Sequence, residues 1–325
     1  MALLIYEAQD FGIHHGPSLN GRNSINFKWV DLIRAAITVG RANERDVWRH
    51  GIYSWYESLY RQFIVFANLK EDITGFVIRS HGYQSLDPSE KSAVSYFLGL
   101  SATKLLAEKL LRTPWLMHLD IYTHLNPVLI NKSKPDMVGL DNRGRWVIVE
   151  AKGRSNNFDK KAMVKAKNQT LQLRKIDGEL PNLRVAFQSY FDNNLFCVNL
   201  QDPPDHAEDA VDITIGIDRM LTDYYSPISS YFKLADNSVV ERIGKREYIM
   251  SNLNNVNLRV GIERRLFSSL REGKFENIIE NMAYEDIDSQ ENTDELISIG
   301  KDGIVVVAGN QWSDENMKKP PYERF

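Results

Sequence analysis

The run Trp146-Val-Ile-Val-Glu-Ala-Lys152 limits what this chain can fold into more than any other segment. Alternation puts Trp146, Ile148, Glu150 and Lys152 on one face and Val147, Val149 and Ala151 on the other. Both faces are apolar as far as Val149, which is the pattern of a central strand covered on both sides. The expected class is therefore α/β. Glu150 and Lys152 then arrive together at the strand's end. Burying a carboxylate and an ammonium there is costly unless they pair or bind something.

The flanking sequence supplies the rest of a layered core. Pro135-Asp-Met-Val-Gly-Leu-Asp141 and the turn Asn142-Arg143-Gly144 make a hairpin with the central run, which brings Asp136 beside Glu150. Upstream, Asp87-Pro88-Ser89-Glu90 starts a helix expected over 85–112, ended by Pro114, and 115–122 reads as a strand. Downstream, a helix is expected over 159–176 and strands over 184–190 and 195–200. The middle of the chain thus runs helix, three strands, helix, two strands.

Two acids and a lysine at one strand end suit phosphodiester hydrolysis. Paired carboxylates hold Mg²⁺, which takes oxygen ligands and keeps waters. The ion lowers the pKa of a bound water and neutralises charge on the phosphate. A lysine beside it orients the attacking water or stabilises developing negative charge.

Pro135-Asp136, thirteen residues, then Glu150-Ala151-Lys152 resembles the PD-(D/E)xK motif of the restriction-endonuclease-like nuclease superfamily, whose core is a helix, three strands, a helix and a strand. The resemblance covers roughly residues 89–200. It implies a mixed central sheet flanked by helices, with Asp136, Glu150 and the Ala151 carbonyl as ligands of Mg²⁺ (or Mn²⁺) and Lys152 as the catalytic lysine. Gln169 resembles the assisting glutamine of RecB-like members, with Gln172 as its rival. Many members also carry a Glu on the first core helix. Here Ser101 and Thr103 stand where that acid is sought, Glu108 is the nearest candidate and Glu90 lies upstream.

Charge narrows the partner. The formal net charge is −3, so any polyanion must be met by a local patch. Residues 152–175 hold eight basic residues against one acid, Asp159. Lys134, Arg154, Lys160, Lys161 and Lys165 are the expected backbone contacts, a source of sequence-independent affinity. The bland reading is a solvated lysine-rich face. DNA is the favoured substrate, with RNA left open, and cleavage is expected to be endonucleolytic, in restriction or phage defence by analogy with the superfamily. A catalytically silent nucleic-acid-binding or scaffold subunit is the alternative, and a homodimer or partner protein is compatible with either.

Other classes lack support. No phosphate-binding Gly-rich loop, dinucleotide fingerprint, nucleophile elbow or H-E-x-x-H occurs. One cysteine, Cys197, excludes an internal disulfide and a Cys-rich zinc site. No apolar run spans a bilayer, and Glu7 and Asp10 interrupt the N-terminus too early for a signal peptide, so a cytoplasmic protein is expected.

Outside the core, residues 1–85 are expected as a helical N-terminal region, 86–205 as the nuclease core and 206–325 as a mixed α/β extension. Residues 1–24 read as turn-rich, and helical patterns follow over 27–40 and 45–68. The second pattern is rich in aromatics, which favours burial; the interleaved Arg41, Arg45, Arg49 and Arg61 would instead make a stacking, phosphate-binding surface. His14-His15 reads as a surface pair, and His118 with Asp120 as a structural pair on one strand face near the site. The acidic run 276–295 reads as a solvated face, with an autoinhibitory cover over the basic helix as the sharper alternative.

Overall fold

The computed structural model describes residues 1–12, 19–39, 52–125, 133–203, 207–234, 238–253, 257–276, 278–279 and 296–319. The chain opens with strands β1 (Ala2–Gln9) and β2 (Gly21–Phe27), then helices α1 (Trp29–Thr38) and α2 (Ile52–Asn68). Short strands β3 (Leu69–Glu71) and β4 (Val77–Arg79) and helix α3 (His81–Ser85) lead to the middle of the molecule. There follow α4 (Pro88–Leu111), β5 (Trp115–His118), β6 (Met137–Leu140), β7 (Trp146–Gly153), α5 (Lys160–Thr170), β8 (Leu173–Ile176), β9 (Leu183–Asp192) and β10 (Leu195–Gln201).

These build a mixed nine-stranded sheet in the order β2-β1-β10-β9-β7-β6-β5, with the β3–β4 pair joined to β10. β7 pairs in parallel with β9 and β1 in parallel with β10, while the remaining ladders are antiparallel. Helices α4 and α5 both pack on β7 and β9. They lie on opposite faces: Ala186 of β9 packs with Met163 and Ala166 of α5, whereas Gly153 and Ser189 abut Ser95 and Gly99 of α4. The first six residues of β7 are buried, as a doubly covered strand requires.

Local chemistry explains the element ends. Asp87 caps α4 by accepting from Ser89 N–H and Glu90 N–H at 2.6 and 3.0 Å, and Glu90 returns a bond to Asp87 N–H at 3.0 Å. Arg112, at φ 53°, turns the chain out of the helix. Between β6 and β7, Asp141 accepts from Arg143 N–H, Arg145 N–H and the Arg145 side chain, which fixes the hairpin turn.

Three expectations change. Residues 1–24 are not simply turn-rich, nor is the N-terminal region purely helical. Ala2, Leu4, Tyr6 and Ala8 are buried in alternation, so β1 enters the sheet between β2 and β10. The strand expected over 115–122 ends at His118; one further bond in the same register, Leu119 N–H to the Asp136 carbonyl at 2.9 Å, leads into a 3₁₀ segment, Leu119–Leu125. The helix expected to reach 176 stops at Thr170. Leu173 and Ile176 are instead buried in β8, which pairs in parallel with β11 (Val211–Ile213), and Arg174 bonds Asp212 at 2.8 and 2.9 Å.

The C-terminal part adds helix α6 (Ile217–Leu234) and strands β12 (Val239–Ile243), β13 (Arg246–Leu253), β14 (Leu258–Glu263), β15 (Ile297–Ile299) and β16 (Ile304–Ala308). The strands form an antiparallel sheet in the order β12-β13-β14-β16-β15. Helix α6 packs on β5 of the first sheet and on β13 and β14 of the second.

A buried ionic network joins this sheet to the core. Arg34 of α1 grips Glu108 of α4 with two bonds of 2.9 Å, and donates to Ser298 of β15 at 2.9 Å. Asp302, in the β15–β16 turn, lies 3.6 Å from Arg34 and 3.4 Å from the ammonium of Lys104. Tyr224 of α6 donates to Asp302 at 2.5 Å and Lys301 N–H to Glu108 at 2.9 Å. Burial works against the Glu108 charge, but Arg34 and Lys104 outweigh it and hold its pKa at about 2, below the ordinary 4.5. Its ionised form is therefore the one that folding favours. The stability advantage of the wild type over Glu108→Gln is full above pH 4.5 and shrinks as pH falls from 4.5 toward 2, a trend that urea midpoints across that window will show.

Candidate active site

Three elements meet at the end of β7. Strand β7 carries Glu150 and Lys152, the residue preceding β6 is Asp136, and α5 carries Gln169. In the parallel β7–β9 register Glu150 lies beside Ala186 and Lys152 beside Gln188, so both charged side chains stand on the α5 side of the sheet.

Asp136 and Glu150 interlock. Asp136 N–H donates to Glu150 Oε2 at 2.7 Å, and Ala151 N–H donates to Asp136 Oδ2 at 3.1 Å. The Lys152 ammonium donates to Glu150 Oε1. Glu150 is fully buried. Burial first, and the neighbouring Asp136 charge second, push its carboxyl up to about 8, against the pull of Lys152. Two acids held this close, one of them dehydrated, form a place where an added cation is favourable.

The surroundings hold this pair in place. The Asp136 carbonyl accepts from Leu119 N–H at 2.9 Å and from His118 Nδ1–H at 3.3 Å. Burial lowers the His118 pKa, with Arg61 adding to the effect. Gln169 is buried; its Nε2 donates to the Lys134 carbonyl at 2.9 Å, while its Oε1 has no hydrogen-bond partner. Gln188 clasps the start of α5, accepting from Asp159 N–H at 2.7 Å and donating to the Asp159 carbonyl at 2.9 Å.

On the other face, α4 touches β7 through glycine. A Cβ on Gly153 would lie 2.0 Å from the Ser95 carbonyl oxygen and 2.7 Å from Tyr96 N, both backbone atoms that cannot swing aside. Gly153→Ala therefore has to separate helix from strand immediately after Lys152. We expect a loss of about 3 kcal/mol or more in urea unfolding. An unchanged midpoint would show that this contact is loose.

The five expected cationic contacts divide. Lys160, Lys161 and Lys165 are exposed on α5. Lys134 pairs with Asp120 at 2.8 Å and Arg154 with Asp159 at 2.9 Å, so both sit at the site with an acidic neighbour. Asp120 falls in the 3₁₀ segment and not on a strand face with His118.

Neither first-helix acid joins the site. Glu108 is held by Arg34, and Glu90 caps α4. Ser101 and Thr103 are buried helix residues, with the Ser101 hydroxyl bonded to the Phe97 carbonyl at 2.9 Å. Gln172 N–H bonds to the Gln169 carbonyl at 3.2 Å beyond the end of α5. His14-His15, Arg41, Arg45, Arg49 and most of the acidic run 276–295 lie outside the described residues.

The donor set fits a hard divalent cation. Mg²⁺ is commonly held by one or two carboxylates with waters and substrate oxygens completing its shell. Asp136 and Glu150 meet that requirement, and the unpartnered Gln169 oxygen adds polar character nearby. Among the described residues no group of three or more His, Cys, Asp and Glu side chains gathers into a metal cage. No helix among them is long and apolar enough to cross a membrane.

Residues that sequence reasoning passed over include Gln188, Gly153 and Tyr96. A glutamine inside an otherwise apolar strand run, Val185-Ala-Phe-Gln188, was the available signal for the first. No protein-family model, curated protein or solved structure matches the chain.

Proposed function

We propose that the protein is a Mg²⁺-dependent nuclease of the PD-(D/E)xK type that hydrolyses phosphodiester bonds of DNA. The interlocked Asp136, Glu150 and Lys152 at the end of a central strand carry the reading. The order α4, β5, β6, β7, α5, β9, with β7 parallel to β9, supports it as the helix, three-strand, helix, strand arrangement expected for that superfamily.

The Asp136 and Glu150 carboxylates and the Ala151 carbonyl would hold the ion, which when bound supplies charge neutralisation on the phosphate and a more acidic water. The chain's own residues prepare that site. Asp136 and Ala151 N–H groups orient the two carboxylates, and Glu150 is itself shielded from bulk water. Lys152 is partly exposed at the rim, its side chain 24% accessible, so its ammonium can move from Glu150 to a phosphate oxygen or to the attacking water. Gln169 fixes the backbone just before Asp136 through the Lys134 carbonyl. Exposed Lys160, Lys161 and Lys165 give the phosphate chain a cationic approach on the same side of the sheet.

The test is cleavage of linear and circular DNA, single- and double-stranded, and of RNA, in Mg²⁺, Mn²⁺ or EDTA. Cutting that requires the ion supports the reading. Binding without cutting in any metal moves the protein to a catalytically silent nucleic-acid-binding subunit.

A further inference from the structure

Helices α2 and α4 present aromatic rings to solvent at the edge of this site. Tyr60 is 52% exposed, Phe63 44% and Tyr96 42%. Tyr60 and Tyr96 each meet the ring of Phe97 edge-on, at centroid distances of 5.7 and 5.4 Å. The Arg61 guanidinium stands 5.8 Å from the Phe97 centroid while donating to the Val39 carbonyl at 2.9 Å. Phe63 follows Tyr60 by one helical turn and shares its face.

The location of the rings separates them from incidental surface apolarity. The backbone of Tyr96 abuts Gly153, the residue after Lys152. Burial, then the Asp136 charge, raise the Tyr96 hydroxyl pKa, with Asp120 and Glu150 adding to the effect and Arg61 opposing it. Isolated exposed apolar residues need no explanation, but a contiguous aromatic cluster beside a polar site does.

We propose that Tyr60, Phe63, Tyr96 and Phe97, with Arg61, form a base-stacking platform that selects an unpaired nucleic-acid strand and seats its phosphodiester at Asp136, Glu150 and Lys152. The proposal rests on the nuclease reading and adds the substrate class. Paired bases inside a duplex keep their faces covered by neighbours, so exposed rings gain little from a duplex. An unpaired base offers its full face to a ring, and such stacking tolerates any sequence. The cations complement the other part of the same ligand. Arg61 lies on the ring side, and Lys160 and Lys161 lie on the opposite face of the sheet, so a strand crossing the sheet edge meets rings with its bases and cations with its phosphates.

The experiment measures binding of a labelled oligothymidylate, and of a duplex of the same length, to the full chain in EDTA by fluorescence anisotropy. Tyr96→Ala and Tyr60→Ala are each expected to weaken single-strand binding roughly ten- to a hundredfold while changing duplex binding by less than about threefold. Tyr96→Phe keeps the ring and is expected to bind as the wild type. Ile73→Ala, a fully exposed change in the β3–β4 turn, serves as a surface control with no effect. Matching thermal melts establish that the tyrosine variants are folded.

Equal losses on single strands and duplex, or no loss on either, overturn the platform. So does a wild-type dimer that becomes monomeric in the tyrosine variants with its nucleic-acid affinity unchanged, since the rings would then belong to an interface between copies. The two readings fail differently. A wild type that neither binds nor cuts nucleic acid defeats the nuclease reading itself. A wild type that cuts in Mg²⁺, loses cutting in Asp136→Asn and keeps single-strand affinity in both tyrosine-to-alanine variants defeats the platform alone.

Discussion

Cleavage in Mg²⁺ is expected to fall by about a thousandfold or more in Asp136→Asn, with the protein still folded. The substitution is chosen because Asp136 does two separable things. Its backbone N–H positions Glu150, and its Oδ2 accepts the Ala151 N–H. An asparagine carbonyl oxygen can keep the second bond, and the backbone keeps the first, so the structural role survives. What disappears is the negative charge that would hold the cation. Lys152→Ala is expected to cause a loss of similar size, because Glu150 loses its cationic partner and the proposed reaction loses the ammonium bonded to the acid pair. Removing the ion with EDTA should reproduce the Asp136→Asn rate, and restored Mg²⁺ should rescue only the wild type. Wild-type rates in both variants would mean that the chemistry lies elsewhere.

Arg34→Met is expected to destabilise the protein by about 3–5 kcal/mol in urea unfolding, although Arg34 is not at the site. The guanidinium satisfies both Glu108 oxygens and lies against Asp302, and all three groups are buried. Without it, Lys104 is left as the buried cation facing two carboxylates, and its own charge is already disfavoured by burial. Most of the cost is the stranded Glu108 charge and not the loss of attraction itself. Adding Glu108→Gln to Arg34→Met should therefore recover a substantial part of the loss, while Glu108→Gln alone destabilises. Strictly additive losses in the double variant would show that the two side chains act independently.

Strand β7 was legible because burial on both faces leaves a sequence signature that stops abruptly at Glu150. The start of α4 was legible for a local reason, since Asp87, Pro88 and Glu90 act within one helical turn. β1 went unread although Ala2, Leu4, Tyr6 and Ala8 alternate, because its partner β10 lies far along the chain and no turn signal announces the pairing. The end of α5 was misjudged for a similar reason: pairing with β11 draws Leu173 and Ile176 into a strand. Among site residues, Asp136, Glu150 and Lys152 were brought together by the strand pattern and the hairpin, and their roles came from the resemblance to the PD-(D/E)xK motif. The platform was split, since the same aromatic run that buries Val65 and Phe66 exposes Tyr60 and Phe63, and which ring faces water is decided by α4 packing alongside. The Glu108 charge has Lys104 one turn earlier as its local signal, but its closest partners, Arg34 and the Lys301 N–H, come from distant parts of the chain.

The position of β1 between β2 and β10 also sets the order in which the molecule can assemble. During synthesis β1 and β2 can pair with each other early and Leu3 N–H can reach the Gly75 carbonyl, but the other edge of Ile5–Gln9 stays open until residues 195–201 have left the ribosome. Parallel pairing across so long a loop carries a large closure entropy and contributes to slow folding. For that interval the nascent chain carries an unsatisfied, half-apolar strand edge, the kind of surface that templates association with other chains. Closing the first sheet thus waits on the docking of β1 against β10, and a chain halted before β10 is a candidate for aggregation.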